Sequence, residues 1–338
     1  MRNLNKALAA RMIARGTKAY HTGRPIAISF ELTHSCTCDC RHCDRGGDVA
    51  GEKLLNAGQY KKLERELKPT LLQLSGGEPL MRPDLFEVIR SVKEKNGLPY
   101  LIIVSNASRL DEETYLAALQ AGVNQFSISL DFPDERHDNF RKHPGLYKHL
   151  SQLIPKLTAH GYDNIVLNTA ITRWNLPYVE DCYKKVREWG ASISYSAYTS
   201  KRTGDPEYDI RSPGELEFLR EAMQKLVEIK RTNGHIVNSE WTLTGTYEFF
   251  KNGNYPGCKA GLRYMVVNPD GTMRPCSMFN LKYKSREEMV EKFVKKNKCG
   301  GCYVAIRAYL SEGYWKLLKD NVQDKVLKRS KNGKCSNC

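Results

Sequence analysis

Eleven cysteines stand in this 338-residue chain, and ten of them fall into two groups. Cys36, Cys38, Cys40 and Cys43 lie close together near the start; Cys258, Cys276, Cys299, Cys302, Cys335 and Cys338 come in the last third. The first twenty residues lack a continuous apolar core and do not read as a secretory signal, so metal ligation or redox chemistry is a better use for these thiols than disulfides. Cys36-x3-Cys40-x2-Cys43 offers three thiolates from one short loop. Three thiolates on a four-iron, four-sulfur cluster leave one iron without a protein ligand, an open position for a substrate. The alternative is a closed site, a structural zinc or a fully ligated cluster with Cys38 as fourth ligand. Cys38 is read as a spectator, because Cys36 and Cys40 on either side already serve the neighbouring corners. Cys182 stands apart in a helical pattern and is read as a buried structural thiol.

Something must hold that first loop in place. Between residues 26 and 200, short apolar runs alternate with amphipathic stretches. Strands are predicted over Ile26–Leu32, Leu71–Leu74, Leu101–Val104, Gln125–Leu130, Ile165–Ile171 and Ile193–Ala197. Helices are predicted between them over Gln59–Leu67, Asp84–Lys95, Glu112–Ala121, Tyr147–His160 and Pro177–Trp189. Six βα units imply an α/β fold with a parallel sheet, a partial (β/α)6 barrel of the TIM type rather than the closed eight-stranded form. Ligands of such sheets sit at the carboxyl ends of the strands, and the triad loop follows the first strand directly. The expected division is an amphipathic helix over 1–24, the barrel over 25–205, a helical connection over 206–250 and a small Cys-rich extension over 251–338. Within that extension, Tyr264–Val267 followed by Asn268-Pro-Asp-Gly271 reads as a strand and hairpin turn.

The x3-x2 spacing after a first strand, with a ring residue, His42, before the third cysteine, resembles the signature of the radical S-adenosylmethionine (radical SAM) superfamily. The resemblance continues over residues 26–200. After the second strand, Gly76-Gly77-Glu78-Pro79 is similar to that family's segment for the methionyl amino group. Two glycines let backbone approach a ligand, and Glu78 offers a carboxylate to an ammonium. The resemblance also assigns to the cofactor Ser105 and Asn106 at the third strand's end, and Ser129 and Asp131 at the fourth's. It gives Arg141 to the methionyl carboxylate, Asn168 to adenine or ribose, and His42 to the adenine. The implied reaction is reductive cleavage of S-adenosylmethionine, chelated at the open iron, to methionine and a 5′-deoxyadenosyl radical that removes a substrate hydrogen atom. A reduced flavodoxin- or ferredoxin-type protein is the implied electron donor.

The later cysteines resemble the auxiliary-cluster extensions called twitch and SPASM. They depart from the full SPASM pattern, which has seven cysteines. The first reading is one auxiliary four-iron cluster held by Cys258, Cys276, Cys299 and Cys302. A second cluster recruiting Cys335 and Cys338 is an alternative. So is a zinc ribbon built from the two Cys-x2-Cys pairs, which would strand Cys258 and Cys276. Four thiolates on one auxiliary cluster favour a role as electron acceptor, making the overall reaction an oxidation or a crosslink.

The formal charge is +15, from 53 Lys and Arg against 38 Asp and Glu. The excess suits an anionic partner, but no aromatic-interleaved basic stripe is present, and no specific nucleic acid is expected. No run approaches the ~20 apolar residues of a membrane span; the basic, amphipathic N-terminus leaves contact with a membrane surface as a weak option. The expected location is the cytoplasm. A peptide is the first substrate considered, with a small molecule, a cofactor precursor or a lipid as alternatives. A non-catalytic iron–sulfur or zinc protein is the reading from another class. Tyr195, Tyr198 and Asp131 are candidates to face the barrel mouth, the tyrosines with packing as their alternative role.

Overall fold

A computed structural model describes residues 5–322; Cys335 and Cys338 lie outside the described residues. The chain opens with α1 (Lys6–Thr22) and then alternates strands and helices. In order these are β1 (Ala27–Thr33), α2 (Ala57–Leu67), β2 (Leu71–Gly76), α3 (Leu85–Val92), β3 (Tyr100–Ser105) and α4 (Glu112–Ala121). Next come β4 (Gln125–Ser129), α5 (Arg136–Arg141), α6 (Leu146–Ala159), β5 (Ile165–Ile171), α7 (Val179–Glu188) and β6 (Ser192–Ala197). All six expected strands form within a few residues of their predicted bounds. Local signals set the helix starts. Asn56 and Gln59 close a capping box on α2, and Asp111 accepts from the Thr114 amide at the start of α4.

Neighbouring strands from β1 to β6 pair in parallel, as βα crossovers require. The strands alternate strictly between two faces. Ile28, Phe30, Leu32, Leu72, Leu74, Leu101, Ile103, Phe126, Ile128, Ile165, Leu167 and Ile193 are fully buried and belong to one continuous core. That core lies between the sheet and its helices. The opposite face carries Ser29, Gln73, Ser75, Gln125, Ser127, Asn168, Ser192 and Ser194. Closed barrels usually fill their interior with branched apolar side chains. Here a band of polar side chains stands among apolar ones such as Ile102 and Val166, and the interior holds a cavity of about 550 Å³.

After β6 come α8 (Pro213–Asn233) and α9 (Glu240–Asn252), then β7 (Tyr264–Val267) and β8 (Met273–Arg274), joined by the expected turn. The hairpin does not stand by itself. β7 pairs in parallel with β1, and β8 lies antiparallel beyond it, giving an eight-stranded sheet in the order β6-β5-β4-β3-β2-β1-β7-β8. The chain ends its described part with α10 (Arg286–Lys292), α11 (Ala305–Leu310) and α12 (Tyr314–Val322). α11 contacts both β6 and β7, and the Ala305 amide donates to Ser196 Oγ at 3.1 Å. Thr199 Oγ1 likewise donates to Gly301 O at 3.1 Å. One short helix can reach both strands only if the sheet is rolled. No helix among the described residues is long and apolar enough to cross a membrane.

Candidate functional site

The loop after β1 carries the triad, and each of its three thiols meets a side chain from a different connection of the barrel. Asn106, just past β3, points its Nδ2 at Cys36 Sγ, 3.6 Å away, and donates to Thr37 Oγ1 at 3.0 Å. Arg141, at the end of α5, places Nη1 3.7 Å from Cys40 Sγ. Arg202, in the loop after β6, adds its positive charge beside Cys43. Cys38 lies between Cys36 and Cys40. Its hydrogen bond draws the Cys36 thiol below its ordinary value and pulls Cys40 down to about 6, where Arg141 reinforces it against burial. Cys38 itself is pushed strongly upward by the same two contacts and by burial, so it remains a thiol. Burial dominates at Cys43 and raises it in spite of Arg202.

The Gly-Gly-Glu-Pro segment turns out to brace this loop. A Cβ on Gly76, where φ is +126°, would lie 2.1 Å from Thr33 O, and one on Gly77 would lie 2.1 Å from Ser35 O. Only glycines let the β2 end run this close to the loop, where the Gly77 amide donates to Thr33 O and the Glu78 amide to Ser35 O, both at 2.8 Å. The Glu78 carboxylate, expected to face a ligand ammonium, is fully buried and spends its oxygens inside the chain. It accepts from Ser105 Oγ at 2.7 Å, the Asn106 amide at 2.8 Å and the Leu80 amide at 3.0 Å. Burial still lifts it to about 7. A relay therefore runs from Glu78 through Asn106 to Cys36.

A second relay approaches from β4. Arg141 pairs with Asp131: its Nε donates to Asp131 Oδ2 at 2.7 Å, and its Nη2 lies 2.7 Å from the same oxygen. Asp131 is fully buried; burial opposes its charge, and Arg141 leads the interactions that hold the carboxyl below its ordinary range. His137 accepts from the Asp131 amide through Nδ1, and burial drives its ring down to about 3, so it is neutral. His42 stacks on Phe140, with ring centroids 4.5 Å apart, and burial lowers it to about 4. Ser129 is half-buried on the lumen face. Asn168 sits in mid-strand rather than at a strand end, lining the cavity and donating to Ser127 Oγ at 2.5 Å. Tyr195 faces outward, donating to Val179 O at 2.7 Å under α7, and Tyr198 packs with Phe132, Phe140 and Tyr208. Tyr195 therefore faces away from the lumen. Cys182 is fully buried, as expected.

Cys258, Cys276 and the pair Cys299 and Cys302 come from three separate segments and gather near Tyr264 at the start of β7. Cys258 Sγ lies 3.1 Å from Tyr264 Oη. The charges of Cys258, Cys302 and Cys276 all act on that phenol, and Cys299 acts on Cys302. Burial pushes Cys276 up to about 12 and Cys302 to about 11. Sequence reasoning missed Arg307. This α11 guanidinium is 1% exposed, bears on Cys302, and leaves Nε and Nη1 without a hydrogen-bond partner. Nothing distinguishes it in sequence from the other basic residues of this chain. Among the described residues, no three His, Cys, Asp or Glu side chains close on a single metal-ion position. A four-iron cube does not ask for that, since each thiolate serves its own iron at its own corner.

A family model described as "Radical SAM superfamily" matches residues 30–186. The chain is also 30% identical over 278 residues to an "AdoMet-dependent heme synthase" of Methanosarcina barkeri, a match covering 75% of this chain and 77% of that protein. The chain belongs to the radical SAM superfamily. Membership implies a four-iron, four-sulfur cluster and S-adenosylmethionine. The mouth fits that pair chemically, with three thiols on one loop, two of them shifted toward thiolate, and a donor or cation beside each. The subtilosin biosynthesis protein AlbA of Bacillus subtilis is 26% identical over 75% of this chain, which covers 55% of AlbA. Among solved structures, Streptococcus suis SuiB bound to the precursor peptide SuiA superposes with a TM-score of 0.63 at 16% identity, covering 85% of this chain and 68% of SuiB. That likeness places the radical SAM chain in the fold of a partial barrel.

Proposed function

We propose that this radical SAM enzyme is an oxidase of C–H bonds that carries two four-iron clusters, one at Cys36, Cys40 and Cys43 and one at Cys258, Cys276, Cys299 and Cys302. The observation that carries the second cluster is the thiol group around Tyr264, together with the buried Arg307, which acts on Cys302 and leaves two nitrogens without a hydrogen-bond partner. Uncompensated buried donors are rare and ask for an anionic partner. When bound, the clusters and S-adenosylmethionine supply a 5′-deoxyadenosyl radical and a one-electron acceptor. The chain's own part is placement. Glu78 and Asn106 orient Cys36, Arg141 and Asp131 orient Cys40, and the rolled sheet shields the lumen from water. Residues 251–338 would then form a twitch/SPASM-like unit whose β7 and β8 are grafted onto the barrel sheet at β1.

The reading of the substrate as a small cofactor precursor is supported by the heme-synthase relative, which matches three quarters of this chain. A peptide is the second reading, favoured by AlbA, named for the biosynthesis of a bacteriocin, and by the fold shared with SuiB. A reducing cytoplasm fits a chain whose described cysteines are all free thiols. A flavodoxin- or ferredoxin-type donor completes the reading.

Iron and labile sulfide counts after anaerobic reconstitution test it. The wild type should hold about eight irons, and the Cys36→Ala, Cys40→Ala and Cys43→Ala triple variant about four. A wild type holding only about four, with none in the variant, removes the second cluster and with it the electron acceptor.

A further inference from the structure

On the lumen face of β1, one step beyond Ser29, stands Glu31, 4% exposed. Arg274 Nη2 lies 2.5 Å from its Oε1; Arg45 Nη2 and His34 Nε2 lie 3.3 and 3.0 Å from its Oε2. Arg202 is near enough to join them in holding the carboxyl at about 2, against burial. Asp44 takes the remaining contacts, at 2.5 Å from Arg202 Nε and 3.5 Å from Arg45 Nη1. Three guanidiniums thus meet two carboxylates. Glu52 lies on the far side of His34, where it accepts from the His34 amide and Thr33 Oγ1.

The donors are also under-used. Arg274 is 4% exposed, yet its Nε has no hydrogen-bond partner, and its Nη2 meets Glu31 as an ion contact without hydrogen-bond alignment. The buried Arg45 Nε is likewise unpartnered. One ion pair would suffice to pin β8 to β1. The surplus exists only because rolling brings the two edges of the sheet together, Arg274 from β8 and Arg202 from the loop after β6. Arg202 acts on Cys43 as well, which puts the cluster of cations between the triad loop and the lumen.

We propose that Arg45, Arg202 and Arg274 form an anion site at the barrel mouth that takes a carboxylate of the substrate. A planar carboxylate accepts two parallel N–H bonds from a guanidinium fork and would satisfy donors that buried Arg274 otherwise leaves bare. This site is separate from Arg141, whose fork Asp131 already holds. The inference rests on the radical SAM reading for the chemistry that follows binding, but the binding itself can be read alone.

Calorimetric titration of the reconstituted protein with glutarate, with neutral glutaramide, with inorganic phosphate and with the capped peptide acetyl-Ala-Glu-Ala-amide tests it. Glutarate or the acidic peptide should bind and glutaramide should not; which of the two is tighter tells a small-molecule carboxylate from a peptide one. Arg274→Lys, which keeps charge but loses the fork, and Arg202→Gln, at the more exposed edge, should each weaken binding at least about tenfold. Equal binding of glutaramide, tighter binding of phosphate, no carboxylate binding at about 10 mM, or wild-type affinity in both variants overturns the proposal. Formation of 5′-deoxyadenosine by the wild type is read in parallel. Its absence alongside intact glutarate binding defeats the radical SAM reaction and leaves the anion site standing.

Discussion

The two thiol groups of this chain are built on opposite plans. The triad sits in one loop with a donor or cation beside each thiol, and the hydrogen bonds of Cys38 lead in drawing two of its thiols toward thiolate, Cys40 to about 6 with help from Arg141. The later group is assembled from distant turns, and burial pushes Cys276 to about 12 and Cys302 to about 11. A thiolate is the form that binds metal. The first site's thiolate character therefore arises within its own loop, whereas the proposed second site would be ionised by the metal it received and would return that binding energy to the fold. This difference suits one site that exchanges a ligand at an open iron and another that stays closed.

The largest effect separates the two. Cys40→Ala should reduce 5′-deoxyadenosine formation to below about a thousandth of wild type, while Cys302→Ala should keep it within about threefold and lose about four irons. Equal loss of activity in both would mean that the groups are not independent.

Next in size is the cation of each group. Arg307→Met removes a buried charge from beside the later thiols and should cost about 3–5 kcal/mol, seen as a melting temperature lower by roughly 10 °C with iron lost from that site first. Arg141→Met should shift the reduction potential of the triad's cluster by tens of millivolts in an EPR-monitored titration, because the guanidinium lies 3.7 Å from Cys40 Sγ. An unchanged potential with S-adenosylmethionine affinity at least about tenfold weaker would return Arg141 to the methionyl carboxylate. Glu78→Gln, which puts an amide N–H against the Asn106 amide, should weaken S-adenosylmethionine binding about tenfold through Cys36. Iron bound by the later group should not change.

Which of these features the sequence displays follows from how local their causes are. Most strands and helices of residues 26–200 follow their own apolar period, so Glu112–Ala121 and Ile165–Ile171 form with the bounds that pattern predicts, as Tyr264–Val267 does beyond them. α9 falls largely within the helical connection expected over 206–250, but its bounds escape such reading. Its threonines and aromatics are poor helix formers, and it is held by Ser239 at its start and by burial of Leu243, Phe249 and Phe250. The pairing of Tyr264–Val267 with Ala27–Phe30 is hidden because it joins opposite ends of the chain. The same holds for Arg45, Arg202 and Arg274 around Glu31. The motif glycines and Glu78 were visible, but their close approach to the triad loop was not, because it depends on how β1 and β2 lie side by side. The triad itself was legible, since one loop supplies the whole donor set.

The smallest effect lies outside both thiol groups and calibrates the others. Glu64 on α2 is 3% exposed, and its Oε1 lacks a hydrogen-bond partner. Burial, and then nearby Glu94, lift its carboxyl from 4.5 to about 7. The folded chain therefore holds this proton more tightly than the unfolded one, so stability falls as pH rises from about 4.5 to 7, and the full penalty stands above 7. Glu64→Gln abolishes the ionisation. It should raise stability by about 1–3 kcal/mol at pH 8, a melting-temperature gain of a few degrees, and by nearly nothing at pH 4. Iron content should stay at the wild-type level, because a gain spread through the sheet and helices does not alter either donor set. A gain that persists at pH 4 would assign the effect to packing instead of charge. Iron that rises with stability would show that the later thiol group is limited by the fold around it and not by its own ionisation.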